Sequence, residues 1–295
     1  MAERRASLSD YVEGAGAVLL YAFFRIMPLD WASWLGGFLA RTIGPHLGIS
    51  KRARENLRLA MPELSPAAVE RTVRGMWDNL GRVCAEYPHL RKFRAFADDG
   101  RIERDDRGNI LGPHAASKRY IFFSAHYGNW EIAIRTATQA GFAVTAVYRA
   151  ANNPIVDRLI AWTRGTDGGE LVPKGAVAAY KAFGALRAGR ELCMLVDQKM
   201  NDGIAVPFFG RDAMTAPALA RLALRFDCAV VPVRVERTRG AHFRITTEAP
   251  LALPRTGNEA ADTLALMTEV NRVIERWIRE RPEQWFWLHR RWPDA

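Results

Sequence analysis

Tyr120 to Ala133 reads YIFFSAHYGNWEIA. Its first five residues are almost wholly apolar and stop at Ser124. Gly128-Asn129 then offers a turn, and from Trp130 the spacing of apolar residues becomes helical. A short apolar run bounded by turn residues and followed by an amphipathic stretch marks a strand passing into a helix. The pattern repeats downstream. Strands are expected at Tyr120–Ser124, Ala143–Tyr148, Glu191–Val196, Ala229–Val235 and Phe243–Thr247. Helices are expected near Trp130–Ala140, Pro154–Thr163, Ala176–Ala188 and Ala216–Arg225, with a last long one from about Asn258 to Arg281. Such alternation predicts an α/β fold, a parallel or mixed sheet with helices on its faces.

Upstream the character differs. Leu8 to Ala60 reads as helical and ends in the basic run Lys51 to Leu59, before Pro62. Gly14 to Phe24 carries no charge, but Arg25 and Pro28 follow at once, and Asp30 and Arg41 interrupt the next apolar stretch. A spanning helix needs roughly 20 predominantly apolar residues. The segment therefore reads as a membrane-seated helical hairpin, a single marginal anchor, or an ordinary buried helix pair. Ser65 and Pro66 open a fresh helix as N-cap and first-turn proline, with Val69, Val73, Trp77 and Leu80 on one face. The expected division is residues 1–60, hydrophobic and basic helices that associate with membrane, and residues 61–295, the α/β domain.

The 295-residue chain has a formal net charge of +10. That surplus suits acidic partners: nucleic acid, anionic lipid headgroups, phosphorylated glycolipids or an acidic carrier protein. No helix-turn-helix, zinc-finger or RNA-recognition pattern is present, so nucleic acid is not expected. The three cysteines, Cys84, Cys193 and Cys228, are widely spaced among apolar neighbours and read as buried small hydrophobes. No ligand cluster for a metal appears, and no cofactor is expected.

His126 and Glu131 are candidates for chemistry. Five residues apart on one helix, their side chains would diverge by about 140°, but a turn between them lets the carboxylate swing back. His126 is then a general base, with Glu131 holding its tautomer. Spacing alone leaves a core histidine equally open, since His289 and Asp294 share it. The tail Gln284 to Trp292 reads either as a packed C-terminal staple or as an interfacial aromatic and basic anchor.

Several segments in order carry a resemblance: FFSAHYGNWEIA, VYRAANNP (Val147–Pro154), Arg164 before Gly169 to Val172, LVDQK (Leu195–Lys199), VPFFGR (Val206–Arg211), VVPV (Val230–Val233) and WFWLHRRW. Together they resemble the late acyltransferases of bacterial lipid A biosynthesis, the lauroyl/myristoyl group, and are similar to the phosphatidylinositol mannoside acyltransferases. The resemblance implies a glycerolipid-acyltransferase-like mixed sheet flanked by helices, with an N-terminal hydrophobic helical attachment. It implies an O-acyltransferase that moves a fatty acyl chain from the thioester of acyl carrier protein to a hydroxyl of a lipid A precursor. His126 and Glu131 would be its catalytic dyad. Arg164 and Asp197 match the Arg and Asp placed near such a site, while Arg149, Lys199 and Arg211 are further candidates for substrate or oxyanion contacts. No Gly-x-Ser-x-Gly elbow supplies a covalent nucleophile. The enzyme would work at the cytoplasmic face of the inner membrane, against an anionic surface. A mannosylated phosphoinositide or a lysophospholipid is the alternative acceptor, and a non-catalytic basic membrane-binding protein the alternative class.

Overall fold

The computed structural model describes residues 7–98, 100–111, 119–148, 151–164, 169–173 and 176–292. Arg149 and Asp294 fall outside them. The helical N-terminal stretch is three helices: α1 (Leu8–Ile26), α2 (Leu29–Ile43) and α3 (Ser50–Ala60). Pro28, which cannot continue a helix donor ladder, separates the first two, and Met27 is extended between them. Among the described residues no helix is long and apolar enough to cross a membrane, so none matches a spanning anchor. Helix α4 (Pro66–Glu86) starts as expected, with the Ser65 hydroxyl accepting from the Ala68 N–H. It packs on α2 so closely that a Cβ on Gly81 would sit 2.2 Å from the Gly36 carbonyl oxygen.

The α/β part runs β1 (Ile102–Asp106), β2 (Tyr120–Ser124), α5 (Glu131–Gln139), β3 (Val144–Tyr148), α6 (Pro154–Arg164), β4 (Glu170–Pro173), α7 (Ala176–Arg187) and β5 (Glu191–Leu195). It continues with β6 (Ile204–Phe208), β7 (Arg211–Thr215), α8 (Ala218–Phe226), β8 (Ala229–Arg239), β9 (His242–Thr247) and α9 (Glu259–Glu280). Seven strands form one sheet in the order β1-β9-β8-β2-β5-β3-β4. Every pairing in it is parallel except β8 with β9, so the sheet is mixed and dominated by parallel strands. All five expected strands are present, and β1, β4 and the antiparallel hairpin β6–β7 are additional.

Strand β2 lies at the centre and is buried on both faces, which explains its unbroken apolar sequence. Ile121 and Phe123 join a core formed with α3, α4, α8 and α9, whereas Tyr120 and Phe122 join a second core with α5 and residues 90–95. The C-terminal aromatics Trp285, Trp287 and Trp292 belong to the first of these cores. Cys193 and Cys228 are buried, as the sequence suggests, but Cys84 is exposed on α4.

Candidate active site

Parallel neighbours in a sheet end side by side, and here that rule assembles the site. Ser124 at the end of β2 is in register with Leu195 at the end of β5, and the Val196 N–H extends the ladder to the Ser124 carbonyl at 3.2 Å. Two residues beyond each strand end stand His126 and Asp197. Their side chains meet with Nδ1 2.8 Å from Asp197 Oδ1, and the His126 backbone N–H donates to Oδ2 at 2.9 Å. The carboxyl ends of parallel strands are where open α/β sheets collect functional groups.

Asp197, not Glu131, therefore holds His126. Both Glu131 oxygens are engaged elsewhere: Oε2 accepts from Arg164 Nε at 2.7 Å, and Oε1 accepts from Arg164 Nη2 and, at 3.0 Å, from Trp130 Nε1. Among the described residues Glu131 makes no bond to His126. The reason is local. Glu131 is the first residue of α5, so its side chain leaves the turn toward α6, while the imidazole leaves toward β5. The two groups still border one site, because Trp130 lies between them with its ring centroid 5.1 Å from that of His126.

The turn that separates them depends on Gly128. Its φ is +57°, and a Cβ there would sit 1.9 Å from the Val235 carbonyl oxygen. The next residue, Asn129, is fully buried and donates to Glu86 at 2.8 Å. Glu86 also accepts from Ser33 Oγ at 2.7 Å and from Arg237 Nη2 at 3.0 Å. This buried ion pair ties α2, α4 and β8 to the loop that carries His126.

Electrostatics follow from burial and neighbours. Burial alone would raise the Asp197 carboxyl, but the charge and hydrogen bonds of His126, with the charge of His289, hold it well below the usual carboxylate range. Asp197 is thus a buried anion. Its remaining contacts are the Trp285 indole N–H on Oδ2 at 2.8 Å and His289 Nε2 3.1 Å from its carbonyl oxygen. The other His289 nitrogen lies 2.6 Å from the Phe286 carbonyl oxygen. A neutral ring can donate to only one of these, yet burial dominates and pushes His289 down to about 4. Burial would also lower the Arg164 guanidinium, but the Glu131 charge outweighs this and keeps it cationic.

With Nδ1 facing a carboxylate, His126 carries its proton there and presents Nε2 with a lone pair. The side chain as a whole is 16% exposed. The side-chain amide nitrogen of Gln198 lies 3.4 Å from Nε2, within reach of whatever bonds there. Such an arrangement can take a proton from a hydroxyl and return it to a leaving group.

Of the remaining sequence candidates, Lys199 is half-buried and without an ion pair among the described residues, two positions past Asp197. Arg211 opens β7, and its Nε is buried without a hydrogen-bond partner among the described residues. Neither touches His126, Asp197 or Glu131 there. Gln198 and Trp285 border the pair although neither is among the sequence candidates. The signal for the former is its place in LVDQK, just after a strand end, and for the latter its place in an aromatic tail.

Residues 4–294 match the family model described as bacterial lipid A biosynthesis acyltransferase. The lipid A biosynthesis lauroyltransferase of Escherichia coli K12 is 25% identical over 292 residues, covering 90% of this chain and 92% of that protein. The lipid A biosynthesis palmitoleoyltransferase of the same organism is 26% identical over 251 residues, covering 81% and 77%. A lipid A biosynthesis acyltransferase of Shigella flexneri matches over the same extent at 26% identity. The protein is an acyltransferase, and the chain belongs to the bacterial lipid A biosynthesis acyltransferase family.

Proposed function

We propose that His126 is the general base of a direct acyl transfer from the thioester of acyl carrier protein to a hydroxyl of a lipid A precursor. The observation that carries this is the buried Asp197 carboxylate on Nδ1, which leaves the Nε2 lone pair to take a proton on a side chain that is 16% exposed. Nε2 takes the hydroxyl proton as the acceptor oxygen bonds to the thioester carbonyl carbon. The tetrahedral oxyanion then collapses, the carbon–sulfur bond breaks, and the departing thiolate takes the proton from the imidazolium. No covalent acyl-enzyme is needed. The anion Asp197 stabilises the imidazolium while it lasts. Gln198, 3.4 Å from Nε2, can donate to the oxyanion, and the Arg164 cation held by Glu131 offers positive charge to a phosphate of the acceptor.

The acceptor would arrive from a membrane. Leu19, Phe23, Ile26, Trp31, Trp34 and Phe38 on α1 and α2 are all exposed. Trp162 on α6 is exposed as well, packs edge-on against Tyr21 of α1, and stands two residues before Arg164. The apolar face and the site thus meet on one helix. A peripheral seat on the cytoplasmic leaflet of the inner membrane, with the net charge of +10 facing anionic lipid and the acidic carrier, fits these features.

Expression in a bacterial host lacking its own late acyltransferase, followed by mass spectrometry of lipid A, tests the reading. The expected result is a mass gain of one acyl group. Unchanged lipid A, with transfer in vitro to a lysophospholipid alone, would overturn the acceptor.

A further inference from the structure

The geometry points to Trp285 as a positioning residue for the reaction, acting through Asp197, an inference that rests on His126 being the base. Residues 284 to 289 lie far from the dyad in sequence but form one wall of it. Tyr127 and Trp285 make an antiparallel bridge. On its two sides the Gly128 N–H donates to the Gln284 carbonyl and the Phe286 N–H to the His126 carbonyl, both at 3.0 Å. The C-terminal segment therefore holds the backbone of the catalytic histidine itself.

The side chain of Trp285 completes the arrangement. It is fully buried, packed edge-on against Trp287 at 4.6 Å and Phe208 at 5.8 Å. Its indole N–H donates to Asp197 Oδ2 at 2.8 Å, and that same oxygen accepts the His126 backbone N–H at 2.9 Å. Two donors on Oδ2 leave Oδ1 directed at Nδ1. A buried carboxylate has no water to hold its orientation, so these donors decide which imidazole nitrogen keeps the proton. Without the indole N–H, the carboxylate can turn, and the ring no longer has one preferred tautomer.

The test replaces Trp285 with β-(3-benzothienyl)alanine, which keeps the ring shape and puts sulfur where the N–H was. W285F serves as a second, genetically simple variant. Two readouts are taken on the full chain: steady-state transfer from the lauroyl thioester of acyl carrier protein to a lipid A precursor, and nitrogen-15 histidine NMR of His126. The expected result is a fall in kcat on the order of tenfold with the KM for donor and acceptor little changed. The single Nδ1–H tautomer of the native protein becomes a mixture. An unchanged tautomer overturns the inference whatever kcat does, because packing alone would produce a loss of rate without it. A changed tautomer with native kcat leaves the positioning intact and removes His126 from its role as base, so the two claims fail separately.

Discussion

Two aromatic stretches at opposite ends of the chain have similar compositions and opposite fates. Trp31 and Trp34 of α2 are 64% and 48% exposed, and they pack chiefly on each other and on Phe38. Trp285, Trp287 and Trp292 are 0–3% exposed. Each of these three has its indole N–H satisfied, by Asp197, by the Pro282 carbonyl at 2.7 Å and by the Phe208 carbonyl at 3.1 Å. A buried indole must find an acceptor, while one at an apolar–water boundary keeps its N–H wet. The difference separates an exposed surface, which we propose meets a lipid phase, from a buried wall of the candidate site. Of the two readings of the tail, the packed staple is the one the structure contains.

The two stretches should differ most in what they contribute to stability. W287A should cost about 3–5 kcal/mol through lost burial and a cavity, measured by urea denaturation. The double variant W31S/W34S should change stability by less than about 1 kcal/mol, and flotation with vesicles containing anionic phospholipid should fall severalfold. Equal destabilisation by the two variants would erase the distinction between the stretches. A smaller effect is expected from protonation. An unfolded histidine takes up its proton near 6.5, whereas burial beside the tail pushes His289 to about 4. Between these values the unfolded chain binds more protons, so stability present above 6.5 is lost as pH falls toward 4. Thermal melts over this window should show a shallower pH slope in H289Q than in the native chain.

The centre of the fold was legible because β2 is buried on both faces and a turn follows it, which is why His126 stood out. Edge strands were not. Strand β1 reads IERDD and among the described residues pairs only with β9, and such charged edges lack the apolar signature while guarding against stray pairing. The partner of His126 was missed for a related reason. Asp197 is 71 residues away, and only the adjacency of β2 and β5 brings them together. Glu131 was near in sequence, but its place at the start of α5 turned it toward Arg164. Local spacing cannot report which strands become neighbours. Trp285 was hidden more deeply still, because nothing in an aromatic tail says which indole will meet a carboxylate 88 residues away.

The most direct test is single-turnover acyl transfer by H126Q, with its thermal melt recorded on the same sample. A native melt and a rate lower by about two to four orders of magnitude are expected. Transfer at the native rate by that folded variant would remove His126 as the base.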